Sequence, residues 1–398
     1  MNKGVAVTGM GIISSIGNTV DENFQSLINK KPGITRIQKI DTIHRNEIKV
    51  GEISMSNDEL IKILDLPESN NYSRTALLAE IAAKEAVKNA NIEDINKYKT
   101  GLISATSVGG MDMTEKFYYS YYDEEKDRKY IDAHSLGDAT SKVAKSLGIT
   151  DFVTTISTAC SSGTNAIMLG ARMIKRGKLD RVIVGGADCL SKFTINGFKT
   201  LMILSETDCK PFDENRTGLN LGEAAAFLVL ESDEIVKKEQ KKVLAYVSGY
   251  ANANDAFHQT ASSEDGEGAT LAMQKALKVA NLSAMDIDYI NAHGTATPNN
   301  DSSESKAIIR VFDKEIPSFS STKGYTGHTL AAAGAIEAVY SILALQHGKV
   351  FPNLNFKTPI EGTSLVPETE VIDKNIEHVL SNSFGFGGNC STLIFSKA

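Results

Sequence analysis

The amino-acid sequence predicts an α/β protein built from two related halves. Short runs rich in β-branched and other apolar residues alternate with stretches of helical periodicity, a pattern typical of helices packed on buried sheets. A charged segment at residues 231–242 interrupts this alternation, which then starts again. The length of 398 residues also exceeds the usual size of a single hydrophobic core. We therefore expect two halves, residues 1–240 and 241–398.

The first half begins with a strand. Residues 5–8 form a short apolar run, and Gly9 and Gly11 follow it, which predicts a turn at that point. Apolar residues at helical spacing cover residues 73–90. Further apolar runs predict buried strands at residues 101–106, 181–186 and 226–230.

The second half repeats the same kinds of element. A strand is predicted at residues 243–248, a helix at 268–280 and another strand at 288–291. Each half also has a strand-like run that leads into a helix. One helix starts near Cys160 and ends at Gly177, and the other ends at Gly348. Gly163 and Gly334 lie equally far before those two glycines, which indicates that the halves are related.

Composition and charge exclude several classes of protein. The net charge is −7, and Lys and Arg are scattered, whereas nucleic-acid binding needs a concentrated basic face. The N-terminus lacks the apolar core of a signal peptide, and we expect no apolar run of the ~18 residues that a membrane span needs. Four cysteines without a CxxC pair predict neither a disulfide framework nor a metal site. A reducing cytoplasm is the expected location.

Cys160 is the first candidate for chemistry. β-branched residues precede it and helix-compatible residues follow it, which predicts a strand–turn–helix elbow with the thiol at a helix N-terminus. Backbone N–H groups and the helix dipole at such a position can lower the pKa of a thiol and stabilise an oxyanion. These residues alone leave two interpretations open, a nucleophile and an inert buried cysteine.

Two histidines stand in tight glycine turns. His293 ends a strand-like run and precedes Gly294, and such strand ends are where α/β proteins place reactive groups. His328 follows Gly327 and precedes a helix of small residues, so we expect a neutral imidazole whose N–H can donate to a developing enolate. Each histidine alone could be structural, and their pairing favours function.

Alternating Phe and Gly mark residues 382–389, between two strand-like runs. No Lys-Ser/Thr pair and no helix follow, so this is not a phosphate-binding loop. We expect a mobile loop that offers backbone N–H groups and gates an apolar pocket.

Together these segments resemble the elongating β-ketoacyl-acyl-carrier-protein synthases, condensing enzymes of the thiolase superfamily. The resemblance runs nearly end to end. Its motifs, in chain order, are the Cys160 elbow and the segments at residues 210–213, 291–295, 321–323, 327–328 and 384–388. It implies a thiolase-like, five-layered αβαβα fold, usually a homodimer. It also implies acyl- and malonyl-loaded acyl carrier protein as partner, and no cofactor beyond the phosphopantetheine arm of that carrier.

The resemblance also implies roles for individual residues. Cys160 would accept the acyl group, with the backbone N–H groups of Cys160 and Phe386 as oxyanion donors. His293 and His328 would hold the malonyl thioester while carbon dioxide leaves. Lys323 would pair with Glu304 or Glu337 and order the site. The remaining implied roles are Asp301 in that network, Thr295, Thr297 and, more weakly, Thr260 on the phosphopantetheine arm, Phe386 as gate and Val108 in the acyl tunnel.

A second catalytic histidine, His328, distinguishes elongating synthases from initiating ones. Two departures from the usual pattern, the polar Asn220 and the pair Gly324–Tyr325, leave the acyl substrate open. Elongation in fatty acid biosynthesis is the first expectation. A specialised polyene- or polyketide-type ketosynthase of the same chemistry and a catalytically silent partner subunit are the alternatives.

Overall fold

The structure, a computed structural model, describes residues 4–398. The strands are β1 (Val5–Ser14), β2 (Thr35–Arg36), β3 (Lys49–Gly51), β4 (Thr100–Ala105), β5 (Phe152–Ile156), β6 (Arg181–Asp188), β7 (Leu221–Gly222), β8 (Ala224–Glu231), β9 (Ala245–Asn254), β10 (Tyr289–Asn291), β11 (Ser318–Ser320), β12 (Lys349–Val350), β13 (Ile372–Asp373), β14 (His378–Gly385) and β15 (Asn389–Ser396). The helices are α1 (Val20–Ile28), α2 (Asn57–Ile63), α3 (Arg74–Asn89), α4 (Met111–Phe117), α5 (Arg128–Ile131), α6 (Leu136–Leu147), α7 (Ser162–Lys175), α8 (Lys192–Thr200), α9 (Asp233–Lys238), α10 (Glu267–Ala280), α11 (Pro298–Phe312), α12 (Lys323–Thr326) and α13 (Ala333–His347).

Ten strands form one continuous sheet in the order β11-β10-β14-β15-β9-β1-β8-β6-β4-β5. From the central β1–β9 pair outward, both sides follow the same plan: two antiparallel pairings and then two parallel ones. This mirrored plan confirms the prediction of two related halves, which β1 and β9 join edge to edge. The division at residue 240 remains our proposal, and it falls between α9 and β9.

Helices lie on both faces of each half. α3 and α6 cover the first half and α10 and α11 the second, whereas α7 and α13 contact strands of both halves and each other. Close packing of α7 on α13 requires the paired glycines seen in the sequence. A Cβ added at Gly163 would lie 2.8 Å from the Ala335 nitrogen, and one at Gly334 would lie 2.0 Å from Thr164 Oγ1. The layers therefore follow the order αβαβα, with the largest hydrophobic cluster around the two central helices.

The predicted turn at Gly9 and Gly11 is wrong, because β1 continues through both residues to Ser14. Helix α3 lies directly on this part of the strand. A Cβ added at Gly9 would lie 2.4 Å from the Ala86 oxygen, and one at Gly11 would lie 2.2 Å from the Ala82 oxygen. These glycines therefore permit a close helix approach, which is the other common use of glycine within a strand.

The central helix also corrects the prediction about apolar runs. Leu330–His347 spans 18 residues with a mean hydropathy of 1.3, which meets the length and composition of a membrane span. In the fold, 89% of this stretch is buried inside the protein. A helix enclosed between the two halves of the sheet is apolar on every face because protein surrounds it, so composition alone does not separate it from a membrane span.

Candidate active site

A sharp elbow carries Cys160 between β5 and α7. Ala159 adopts a left-handed conformation with φ of 51°, which turns the chain into the helix. Ser162 stabilises this turn, since its hydroxyl accepts the Thr158 N–H at 2.8 Å and donates to the Ala159 carbonyl at 2.5 Å. The predicted strand–turn–helix elbow is therefore present, with Cys160 7% exposed.

Burial controls the state of the Cys160 thiol. It raises the pKa of Cys160 to about 11, although Lys323 and the backbone N–H groups of Phe386 and Cys160 act in the opposite direction. The expectation of a lowered pKa is therefore wrong, because loss of hydration outweighs the helix terminus. The resting group is a neutral thiol.

His293 and His328 form a buried pair, with ring centroids 5.4 Å apart and planes at 89°. The Nδ1 atom of His293 lies 3.2 Å from the Lys323 ammonium, and that of His328 accepts the Leu330 N–H at 3.1 Å. Because both Nδ1 atoms face donors, each ring carries its proton on Nε2. Burial, and then Lys323, lowers the pKa of both imidazoles well below the usual value. The pair therefore offers two neutral N–H donors, as the sequence predicted for His328.

Lys323 lies beneath His293. Its ammonium donates to the His293 carbonyl at 2.5 Å and forms an ion pair with Glu337, the second of the two partners predicted for it. Glu304 instead accepts the backbone N–H groups of His293 at 2.9 Å and Gly294 at 2.8 Å. Burial raises the pKa of each glutamate to about 7.

Asp301 supports a neighbouring part of the site. Its carboxylate accepts the backbone N–H groups of Phe212 at 2.7 Å and Ala296 at 3.1 Å. It therefore holds the turn after His293 against the 210–213 motif, and no hydrogen bond joins it to Lys323 among the described residues.

A cavity of about 310 Å³ brings the predicted residues together. Its wall includes Cys160, His293, His328, Thr260, Thr295, Thr297 and Phe386. Val108 is not part of this wall; it is buried nearby with Leu219 and Leu330. The apolar wall also contains Phe384, from the predicted Phe-Gly segment, and four residues that sequence reasoning missed: Phe198, Met202, Ile203 and Leu219. Most of these residues lie in irregular segments, where periodicity gives no signal.

The Phe-Gly segment is a tight hairpin rather than a long loop. β14 extends to Gly385 and β15 starts at Asn389, so only residues 386–388 form the turn. The Gly387 N–H donates to the Gln259 carbonyl at 2.7 Å, which ties the turn to the segment carrying Thr260. The Phe386 ring stacks on Phe198 with centroids 6.0 Å apart. An aromatic pair therefore stands at the cavity, with Phe386 on the hairpin.

Sequence reasoning also missed Asp188 at the end of β6. Its buried carboxylate accepts the hydroxyl of Thr106 at 2.5 Å and the backbone N–H of Ala331 at 2.9 Å. Asp188 thus joins the end of β4 to the start of the central helix. Ala331, its partner there, lies three residues after His328. The sequence did contain a signal for Asp188, because it is a charged residue at the end of an apolar run.

Comparisons with known proteins agree with this architecture. Residues 2–235 match the model of the β-ketoacyl synthase N-terminal domain, and residues 244–357 match that of its C-terminal domain. The chain is 36% identical to 3-oxoacyl-acyl-carrier-protein synthase 2 of Staphylococcus aureus (strain COL), over 100% of this chain and 99% of that protein.

Solved structures give the same result. The ishigamide ketosynthase/chain length factor superposes with a TM-score of 0.93 and 28% identity, covering 99% of both chains. A type II polyketide synthase ketosynthase in complex with its acyl carrier protein superposes with a TM-score of 0.88 and 27% identity, covering 100% of both chains. With the fold, the elbow and both histidines in place, the chain belongs to the β-ketoacyl synthase family.

Proposed function

We propose that this protein is a β-ketoacyl-acyl-carrier-protein synthase that elongates acyl chains by decarboxylative condensation in fatty acid biosynthesis. The observation that carries the proposal is the shared cavity of Cys160, His293 and His328, in which both imidazoles are neutral donors. The sequence similarity to a 3-oxoacyl-acyl-carrier-protein synthase over its full length supports the same reaction.

The reaction begins with transfer of an acyl group to Cys160. The sulfur attacks the thioester of acyl carrier protein, the C–S bond to the carrier breaks, and the thiol proton leaves with the carrier thiol. The backbone N–H groups of Cys160 and Phe386, which both approach the sulfur, stabilise the oxyanion that forms. Covalent capture divides a difficult condensation into two easier steps.

Decarboxylation follows at the histidine pair. The Nε2–H groups of His293 and His328 donate to the malonyl thioester oxygen, on which negative charge develops as carbon dioxide leaves. The resulting enolate carbon attacks the acyl–Cys160 carbonyl, a C–C bond forms, the C–S bond breaks, and the Cys160 thiolate takes up a proton from water. Neutral imidazoles suit this role because they stabilise charge without transferring a proton.

The other predicted residues position these groups. Thr295 and Thr297, whose hydroxyls lie 2.9 Å apart at the cavity, would bind the phosphopantetheine arm together with Thr260. Lys323 is 3% exposed and paired with Glu337, so it orients His293 rather than acting as a base. Phe386 would gate the entrance of the cavity. Val108 lies behind the cavity wall, so it would border the acyl tunnel only if the wall opens when the acyl group binds.

A labelling experiment tests the proposal. Incubation with acyl carrier protein that bears a labelled acyl group should label Cys160, and Cys160→Ser should abolish that label. His328→Ala should leave labelling intact and strongly reduce release of carbon dioxide from malonyl carrier protein. Absence of label on the wild-type protein would contradict the proposal and would favour a silent partner subunit.

A specialised ketosynthase is the alternative, since one structural neighbour is a ketosynthase of a type II polyketide synthase and another is a ketosynthase/chain length factor. The departures noted in the sequence do not favour it, because neither side chain lines the cavity. Tyr325 is fully buried, and its hydroxyl donates to the Leu27 carbonyl at 3.2 Å. The mass of the products from a panel of acyl primers, saturated and polyene, separates the two possibilities.

We further propose a homodimer in the cytoplasm, with the phosphopantetheine of acyl carrier protein as the only carrier group. Strand β5 supports dimer formation, because it ends the ten-stranded sheet and Val153 on it is 39% exposed. An open strand edge is a template for pairing with a second chain. Sedimentation of the wild type and of Val153→Lys tests this, since pairing through β5 requires the variant to dissociate more readily.

A further inference from the structure

Asn220 is a buried amide within an otherwise apolar segment. It is 1% exposed and lies between Leu219 and Leu221, which are buried as well. Its side chain makes three hydrogen bonds to one neighbouring segment: Oδ1 accepts the Cys209 N–H at 2.7 Å, and Nδ2 donates to the carbonyls of Ser205 at 3.3 Å and Thr207 at 2.9 Å. Burial of an amide is tolerated only when such bonds replace water, so the polar side chain has a specific structural task.

The main chain of Asn220 holds His328. The His328 N–H donates to the Asn220 carbonyl at 2.7 Å, and the His328 carbonyl accepts the Gly222 N–H at 2.9 Å. This pairing forms a short parallel bridge between Leu221 and His328. Gly327 lies so close that an added Cβ would be 2.6 Å from the Leu221 carbonyl. Any displacement of residues 220–222 is therefore passed to His328.

A second connection reaches Lys323. Cys209, whose N–H the Asn220 side chain accepts, directs its thiol to the Lys323 carbonyl at 3.5 Å. Leu219, which precedes Asn220, and Ile203 both line the cavity, and the Leu219 N–H donates to the Ile203 carbonyl at 2.9 Å. Asn220 thus lies where the apolar wall of the cavity, the segment paired with His328 and the peptide of Lys323 meet.

We propose that Asn220 is a positioning residue for decarboxylation, which fixes His328 and Lys323 relative to the apolar wall of the cavity. This inference rests on the proposed function. Without the amide, the buried Cys209 N–H and the buried Ser205 carbonyl lose their partners, each at a cost of about 1–3 kcal/mol, and the more exposed Thr207 carbonyl loses one as well. The backbone of residues 205–209 and 220 must then shift to find new partners, and His328 moves with it. The Cys160 elbow has no hydrogen bond to Asn220 and is reached only through the charge of Lys323, so acylation should respond much less to that shift than decarboxylation does.

The experiment compares two half-reactions of the full-length protein. Asn220→Leu replaces the amide with an apolar group of similar size. Asn220→Ser replaces it with a hydroxyl, which can still form part of the hydrogen bonding. The measured rates are transfer of a labelled acyl group to Cys160 and release of carbon dioxide from malonyl carrier protein. We expect Asn220→Leu to slow carbon dioxide release by about tenfold or more, since small misplacements of catalytic groups are costly. Acylation should change by less than about twofold, and Asn220→Ser should fall between the wild type and Asn220→Leu.

Asn23→Leu provides the matched control. Asn23 is equally buried, and its amide donates to the carbonyls of Gly17 at 2.9 Å and Thr19 at 2.8 Å, while its oxygen accepts the hydroxyls of Ser14 and Tyr340. Its replacement therefore removes one hydrogen bond more than that of Asn220, and none of its partners is hydrogen-bonded to His293 or His328. The control should lower the melting temperature in the same way and leave the ratio of the two rates unchanged.

Two outcomes overturn the inference. One is an unchanged ratio of carbon dioxide release to acylation in both Asn220 variants, and the other is an equal change of that ratio in Asn23→Leu. If Asn220→Leu does not fold, the ratio in Asn220→Ser decides. A wild-type protein that is never acylated contradicts the proposed function instead, so the two failures are distinguishable.

Discussion

Glu304→Gln is the sharpest test of how the fold positions His293. The Glu304 carboxylate bridges two adjacent peptide groups, since one oxygen accepts the His293 N–H at 2.9 Å and the other accepts the Gly294 N–H at 2.8 Å. Glutamine has the same shape but only one acceptor oxygen. In the variant, one of these buried N–H groups must face an NH₂ group.

The structure sets the size of the effect. A buried donor without an acceptor costs about 1–3 kcal/mol, and the turn that carries His293 must distort to relieve it. A loss of about 1.4 to 2.8 kcal/mol of transition-state stabilisation corresponds to roughly 10- to 100-fold in rate. We expect carbon dioxide release from malonyl carrier protein to fall by that factor at pH 8, while acylation of Cys160 is nearly unchanged.

Glu85→Gln is the matched control for this variant. Glu85 also bridges two peptide N–H groups, those of Ile12 at 2.8 Å and Val20 at 3.1 Å, in α3 and away from the cavity. Both variants should lose similar free energy of unfolding in a denaturant titration, but only Glu304→Gln should lose decarboxylation. Equal activity of the two variants would refute the positioning role of Glu304.

The pH dependence has a defined sign. Burial raises the pKa of Glu304 to about 7 from 4.5, so the folded state binds a proton more readily than the unfolded chain. The wild type therefore gains stability relative to Glu304→Gln as the pH falls from about 7 toward 4.5. Its decarboxylation falls over the same range, because the protonated carboxyl loses one acceptor. A rate ratio of wild type to variant that stays constant between pH 8 and pH 5.5 would contradict this account.

Three further predictions concern the nucleophile, Lys323 and the contact between the central helices, the last with a control variant on α8. Because burial raises the pKa of Cys160 to about 11, its alkylation rate should keep rising from pH 7 to pH 10; a plateau below pH 9 would refute this. Lys323→Met removes a cation that lowers the pKa of Cys160. Alkylation of Cys160 at pH 8 should therefore be slower in this variant, and faster alkylation would contradict this effect of Lys323. Gly334→Ala places a methyl group 2.0 Å from Thr164 Oγ1 and should cost about 1–3 kcal/mol of unfolding free energy. Gly197→Ala, in open space on α8, should instead stabilise by about 0.5–1 kcal/mol in the same denaturant titration.

Much of the fold could be predicted from local signals. Helix α3 begins and ends within one residue of the predicted range, because apolar spacing and the Ser73 cap are properties of neighbouring residues. The matched positions of Gly163 and Gly334 indicated the repeat because each glycine lies where α7 and α13 pack closely on each other. Gly9 and Gly11 misled the prediction because a turn and a close helix contact both select glycine, and only the position of α3 distinguishes them.

The candidate site divides in the same way. Residue type, turn chemistry and the order of motifs sufficed to identify Cys160 and both histidines. Two observations needed the folded chain: that Lys323 pairs with Glu337 rather than Glu304, and that Val108 lies outside the cavity wall. Side chains far apart in sequence decide both, and no periodicity encodes them.

Local sequence signals therefore sufficed to predict the α/β class, the repeated halves and the elbow at Cys160, and to propose Cys160, His293 and His328 as reactive groups. These features depend on residue type and on neighbours within a few positions. The convergence of these three side chains on one cavity, the tight hairpin at Phe386 and the direction of the Cys160 pKa shift depended on the folded chain. Desolvation explains the last of these, because the charge that a group can carry depends on how completely distant parts of the chain exclude water from it.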